Sequence, residues 1–167
     1  MVGESKDDIL RLAGPIAQPW ISPFITRTKS QNALSQETIA EQTSAALQAM
    51  GEADLDFPIV AKPDLGCRGV GVKLLTSREQ LEDYIDSFPM DARFLLQQKA
   101  PYQAEAGVFY VRYPGEEQGK IISITLKYAP SVVGDGVSTL QQLIEASPRA
   151  GLLSHLYLPR HEDKLHW

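Results

Sequence analysis

Hydrophobic and polar positions divide this chain into alternating helix-like and strand-like stretches. Ser5 stands where an N-cap belongs, with Asp7 and Asp8 in the first turn and Ile9, Leu10, Leu12 and Ala13 behind them; Gly14-Pro15 ends that short helix. Pro15 to Ser30 carries three prolines and two aromatics and reads as an extended connection, pinned to a core by Trp20, Ile21, Phe24 and Ile25. A second helix is predicted from Ser35 to Met50, with Ile39, Thr43, Ala46, Leu47 and Met50 near one face and Gly51 after it. Phe57 to Lys62 has strand composition, and so does Val72 to Thr76 beyond a glycine-rich loop. Ser77 and Gln80 form a capping box for a helix with Leu81, Tyr84, Ile85 and Phe88 on one side.

Arg93 to Gln98 reads as a buried strand. Gly107 to Tyr113 and Lys120 to Tyr128 read as a hairpin closed by the turn-rich Pro114–Gly119. Gly134-Asp135-Gly136 is a tight turn. Ser138, with Gln141 in the capping-box position, opens a helix through Leu140, Leu143 and Ile144; Pro148 interrupts it, and Gly151 to His166 is helical in part.

The length of 167 residues fits one domain or two lobes, and 43% hydrophobic residues can build a core. No run of 18 apolar residues exists to cross a bilayer, and the polar, acidic N-terminus does not read as a signal peptide. The single cysteine makes no internal disulfide, so a cytoplasmic protein is expected. A net charge of −5 argues against a nucleic-acid partner, and no basic amphipathic helix speaks for a membrane surface.

Lys62 to Gly71 carries the most chemistry. A glycine-rich loop offers backbone N–H groups to phosphate oxygens, because no Cβ blocks their approach. Lys62 on the preceding strand supplies a point charge, and Arg68 lies within reach. The spacing G-x-x-G-x-G is neither a dinucleotide fingerprint nor a P-loop, and a strand follows it where those motifs have a helix. Three glycines alone more often make a plain tight loop; a lysine amid Ile59, Val60 and Ala61 brings phosphate binding to even weight with that reading. Beyond Gln97-Gln98-Lys99-Ala100-Pro101 the chain leaves a strand edge, where backbone groups can meet a flat heterocycle and Glu105 can accept from ribose hydroxyls; an ordinary surface loop has the same composition.

Together, "FPIVAKPDLGCRGVGV", "LLQQKAPYQAEAGVFYVR", "ITLKY" and "VVGDGVSTLQQLI" resemble the ATP-grasp superfamily, in particular its D-alanine–D-alanine ligase and cyanophycin-synthetase-like carboxylate–amine ligases. The resemblance covers residues 57 to 145 well and 1 to 30 loosely. It implies an α+β ATP-grasp fold, with an N-terminal lobe over residues 1–98 and part of a second lobe over 99–167. It further implies that Lys62 contacts the phosphates, that Gly66, Arg68, Gly69 and Gly71 belong to the loop closing over them, and that Lys6 is the early phosphate lysine. Gln98 would stand in the place of an adenine-contacting Glu, Lys99 and Pro101 would give backbone contacts to adenine, Glu105 would hold the ribose, and Lys127 would face the nucleotide.

Members of that family use ATP and magnesium to join a small carboxylate to an amine through an acyl phosphate. The late acid and E-x-N motif that hold magnesium in the family have no counterpart among the acids after Tyr128, which are Asp135, Glu145, Glu162 and Asp163, and the stretch ending at Trp167 reads as cut off. The expected function is therefore the ATP side of such a ligase, possible as a homo-oligomer; the alternative is a nucleotide-binding module or fragment without turnover. Cys67 reads as a loop filler, His155, His161 and His166 as surface histidines outside any zinc spacing, and Glu116-Glu117 as a solvated hairpin tip.

Overall fold

Four strands pair into one antiparallel sheet in the first of two units, Met1–Pro101. The computed structural model describes residues 4–29, 38–66, 69–102, 104–128 and 130–167. The strands are β1 (Phe24–Thr28), β2 (Ile59–Pro63), β3 (Lys73–Leu75) and β4 (Arg93–Gln98), in spatial order β1-β4-β2-β3. Side chains alternate between faces along each strand, so the register decides what meets what. One face presents Ile59, Ala61, Leu75, Phe94 and Leu96 to α2 (Ile39–Glu52) and α3 (Arg78–Ser87). Ala46 and Met50 from α2 and Leu81, Tyr84 and Ile85 from α3 complete this core. Phe94 meets Phe88 and Tyr84 edge-on, with ring centroids 5.0 and 5.7 Å apart.

The opposite face carries Lys62 across from Leu95 and Val60 across from Gln97, with Thr26 on the far side of Leu95. At β1 this face meets α1 (Lys6–Arg11): the Thr26 hydroxyl donates to the Asp7 carboxylate at 2.5 Å, and the Arg11 guanidinium lies 5.6 Å from the Phe24 ring centroid.

Local caps follow the residue chemistry. Ser5 Oγ accepts from Asp8 N at the start of α1, and Thr38 and Glu41 make a reciprocal capping box at the start of α2. The buried Lys29 donates Nζ to the carbonyls of Asp86 and Phe88 (2.6 and 2.9 Å), satisfying the C-terminal end of α3 with a cation.

Several sequence expectations need correction. Trp20 is 88% exposed and pins nothing; Ile25 packs against the core instead. The connection that three prolines suggested contains β1, whose Phe, Ile and two Thr suit a strand and which pairs with β4. The helix expected from Ser35 starts at Ile39 behind the Thr38 cap, and residues 30–37 lie outside the described residues. At α3, Ser77 Oγ accepts from Gln80 N, but the Gln80 side chain accepts from Thr76 N, so the box is not reciprocal.

The second unit, Tyr102–Trp167, holds the hairpin β5 (Glu105–Val111) and β6 (Lys120–Lys127) and the helices α4 (Leu140–Ala146) and α5 (Ser154–Tyr157) with flanking 3-10 turns. A bulge at Phe109/Tyr110 interrupts the hairpin register. Val108 and Tyr110 share a face with Ile121, Ile124 and Leu126, and all five are exposed. The cap of α4 is Thr139 with Gln142, one residue later than expected, because the Ser138 hydroxyl donates to Asp135 instead. The Asp135 carboxylate also accepts from the amides of Val137 and Ser138. The Ser138 hydroxyl first, then these amides, hold its pKa down at about 2, the chemistry of an Asx turn. Leu140 N and Gln141 N, free donors at the start of α4, are taken by the carbonyls of Trp167 and Leu165. Among the described residues no helix is long and apolar enough to cross a membrane.

Candidate phosphate site

The site is built from the end of β2. Lys62 is half-buried, and its Nζ donates to Gln97 Oε1 at 2.5 Å. Gln97 in turn donates Nε2 to the Ser22 carbonyl at 2.8 Å, which fixes the amide and leaves its oxygen for the lysine. Burial depresses the Lys62 pKa below the ordinary lysine value, and the positive charge of Lys6 nearby lowers it further. Among the described residues neither Lys6 nor Lys62 forms an ion pair.

Lys6 arrives from the first turn of α1. Its Nζ donates to the carbonyls of Asp64 and Gly66, both at 3.0 Å, and its backbone N to Asp64 O at 3.2 Å. A strand end and a helix start, distant in sequence, thus place two ammonium groups at the entry to the glycine-rich loop.

Asp64, only 1% exposed, ties these pieces together. Its carboxylate accepts from Ser5 Oγ (2.9 Å), Asp7 N (3.0 Å) and both Nε and Nη2 of Arg93 (3.0 and 2.5 Å). Burial alone would raise the Asp64 pKa; the Asp7 amide, Arg93 and Ser5 outweigh it and hold the carboxyl below the usual range.

The loop closes on Gly71. Its φ is +73°, and a Cβ there would stand 2.6 Å from Pro63 Cγ. Gly71 O accepts from the Tyr84 hydroxyl at 3.2 Å, and burial pushes that phenol up to about 12, so it stays a donor at any physiological pH. Gly71→Ala therefore combines a left-handed backbone with a clash. It is expected to cost about 2 kcal/mol, read as a lowered urea midpoint at unchanged slope. A cleft of about 880 Å³ opens beside the loop, with Leu65, Val70, Lys73 and Phe88 among its walls.

The half-buried ammonium makes a second prediction. A lysine whose folded pKa is depressed carries a penalty that is present in full below that pKa and fades as pH rises toward the ordinary value of 10.5. Lys62→Met is expected to raise stability at pH 7 and to remove the part of the alkaline rise that this group contributes. Urea melts at pH 7 and at stepped alkaline pH check it.

The structure brings together Lys6, Lys62 and Gly66; Gly71 lies against Pro63 and the Tyr84 hydroxyl, Gly69 is described, with φ +75°, and Arg68 and Cys67 lie outside the described residues. Gln98 is not on the Lys62 face. It stands opposite Ile59, where its Oε1 accepts from Asp56 N and its Nε2 donates to Pro58 O. Gln97 holds the place beside Lys62, and sequence reasoning assigned it no role, since a one-residue choice of register exchanges the faces. Lys99 and Pro101 are exposed at the end of the first unit. In the second unit Glu105 and Lys127 stand opposite each other across the hairpin and form an exposed ion pair at 2.5 Å, so each is the other's partner. Among the described residues no cluster of three His, Cys, Asp or Glu side chains is placed to hold a metal ion.

No protein-family model matches the sequence, and no curated protein matches it. Among solved structures the chain is similar to a D-alanine–D-alanine ligase from Helicobacter pylori, at 11% identity and a TM-score of 0.47. The alignment covers 98% of this chain and 47% of that one, so the chain spans about half the length of that ligase. The fold itself is mixed α/β with antiparallel sheets.

Proposed function

We propose that the first unit binds the polyphosphate of ATP, and that the chain supplies the ATP side of an amide-forming carboxylate–amine ligase. One observation carries the binding part. Two ammonium groups, Lys6 and Lys62, converge at a glycine-rich loop with only neutral acceptors on them among the described residues. Like charges held this close repel, and a polyanion placed between them relieves both. Main-chain amides of the loop add donors at no entropic cost in side chains.

The ligase part rests on the ATP-grasp resemblance of the quoted motifs. In such enzymes the γ-phosphoryl group passes to a carboxylate, and an amine then displaces phosphate from the acyl phosphate. Here the chain's own residues do the binding: Lys62 and Lys6 hold charge against the phosphates, and the loop around Gly66 to Gly71 excludes water from them. The exposed backbone at Lys99 and Pro101, in the same unit, meets the adenine edge. An ATP-dependent phosphate-release assay across small carboxylate–amine pairs tests the reaction: turnover that requires both co-substrates supports the ligase, and ATP binding without turnover by any pair identifies a nucleotide-binding module.

A further inference from the structure

We infer that Asp64 is a positioning residue: with Arg93 and Ser5 it clamps the first turn of α1 so that the Lys6 ammonium stays beside Lys62 at the loop entry. The functional consequence rests on the nucleotide reading proposed above; the clamp itself does not.

α1 has six residues, too few to hold its own geometry in water. Something else must fix Lys6, and the contacts identify it. The Asp64 carboxylate takes the Asp7 amide and the Ser5 hydroxyl, the two groups flanking Lys6, while the Asp64 carbonyl takes Lys6 itself through both N and Nζ. Arg93, on β4, grips the other carboxylate oxygen from the sheet and adds a 2.9 Å bond to Ser5 Oγ. The anchor lies two residues after Lys62 on the same backbone. The spacing of the two lysines is therefore set by residues 62–66, tied to the sheet, and not by the short helix.

The charge arrangement argues for more than a structural tie. Asp64 lies two residues after Lys62 and its backbone carbonyl holds Lys6, yet its carboxylate is given to Arg93, Ser5 and a backbone amide. The ammonium of Lys6 receives only carbonyls, and that of Lys62 only an amide oxygen. Both cations remain uncompensated among the described residues. A ligand with more phosphates engages both; one with fewer engages one. The clamp is thus what lets the site discriminate ATP from ADP and AMP.

The test uses the full chain with ATP, ADP and AMP as probes, and the Lys62 Cε resonance in 13C-lysine-labelled protein as a readout independent of nucleotide. Lys6→Ala is expected to move the Lys62 titration midpoint upward. Ser5→Ala, which changes no charge, should move it in the same direction; Asp64→Asn also removes a negative charge, so it is read by nucleotide binding, where it should lower ATP affinity about tenfold and shrink the ATP-to-ADP ratio. In a Lys6→Ala background Asp64→Asn should add less than twofold, because the residue it positions is gone. Ser5→Ala, which leaves the buried acid paired with Arg93, should show the same binding changes at smaller size should Asp64→Asn fail to fold. A folded Ser5→Ala protein with the Lys62 midpoint unmoved, while Lys6→Ala moves it, overturns the clamp. Full additivity of Lys6→Ala and Asp64→Asn overturns it too. A wild type that binds none of the three nucleotides overturns the function proposed above, and the Lys62 titration then still decides the clamp.

Discussion

Asp64→Ala is expected to cost about 3–5 kcal/mol of folding stability, the largest loss of any single polar substitution in the first unit. The side chain is 2% exposed, and four donors end on its carboxylate. Removing it strands the Asp7 amide and the Arg93 guanidinium and frees α1 from the sheet, so lost hydrogen bonds and an unpaired cation add together. Asp8 is the control. It lies 4.0 Å from Arg93 with a side chain 71% exposed, and Asp8→Ala should change stability by less than about 1 kcal/mol. The pH dependence has a definite sign. The Asp64 pKa is depressed in the folded chain, so its contribution is present above the ordinary carboxylate value near 3.8 and is lost as pH falls through the folded value. Urea melts of wild type and Asp64→Ala should converge on acidification.

The second large effect is functional. Lys62→Ala is expected to weaken ATP binding about 10–100-fold, the range for losing one charge-assisted contact to a phosphate in a partly desolvated site. The same substitution removes a half-buried cation whose pKa burial and Lys6 both depress, so it relieves that penalty in the folded chain at neutral pH. Binding and the electrostatic part of stability move in opposite directions, which separates a ligand-binding lysine from one that only supports the fold.

Much of the first unit was legible because its signals are local. The β2 strand, the helix over Leu81, Tyr84 and Ile85, and the strand Arg93–Gln98 each carry their periodicity in sequence. What the sequence hid depends on register and on tertiary pairing. Gln97 and Gln98 are chemically identical neighbours, and only the pairing of β4 with β2 turns Gln97 toward Lys62 and Gln98 toward Asp56. β1 forms where three prolines suggested a linker, and its partner β4 lies far along the chain, Thr26 pairing with Leu95. Lys6 was legible only through the family resemblance; no local pattern says that a lysine at a helix start will reach the loop after a strand. Asp64 gave no signal beyond a turn residue after Pro63, because the three residues that meet its carboxylate come from two distant stretches of chain.

Two lysine side chains drawn to one polyanion make a prediction that calorimetry reads directly. Titrating ATP-Mg, ADP and AMP into the wild type should give affinities falling in that order, and Lys62→Ala should flatten the series by weakening ATP most. Equal affinities for the three nucleotides, or an ATP affinity untouched by Lys62→Ala, would contradict the account.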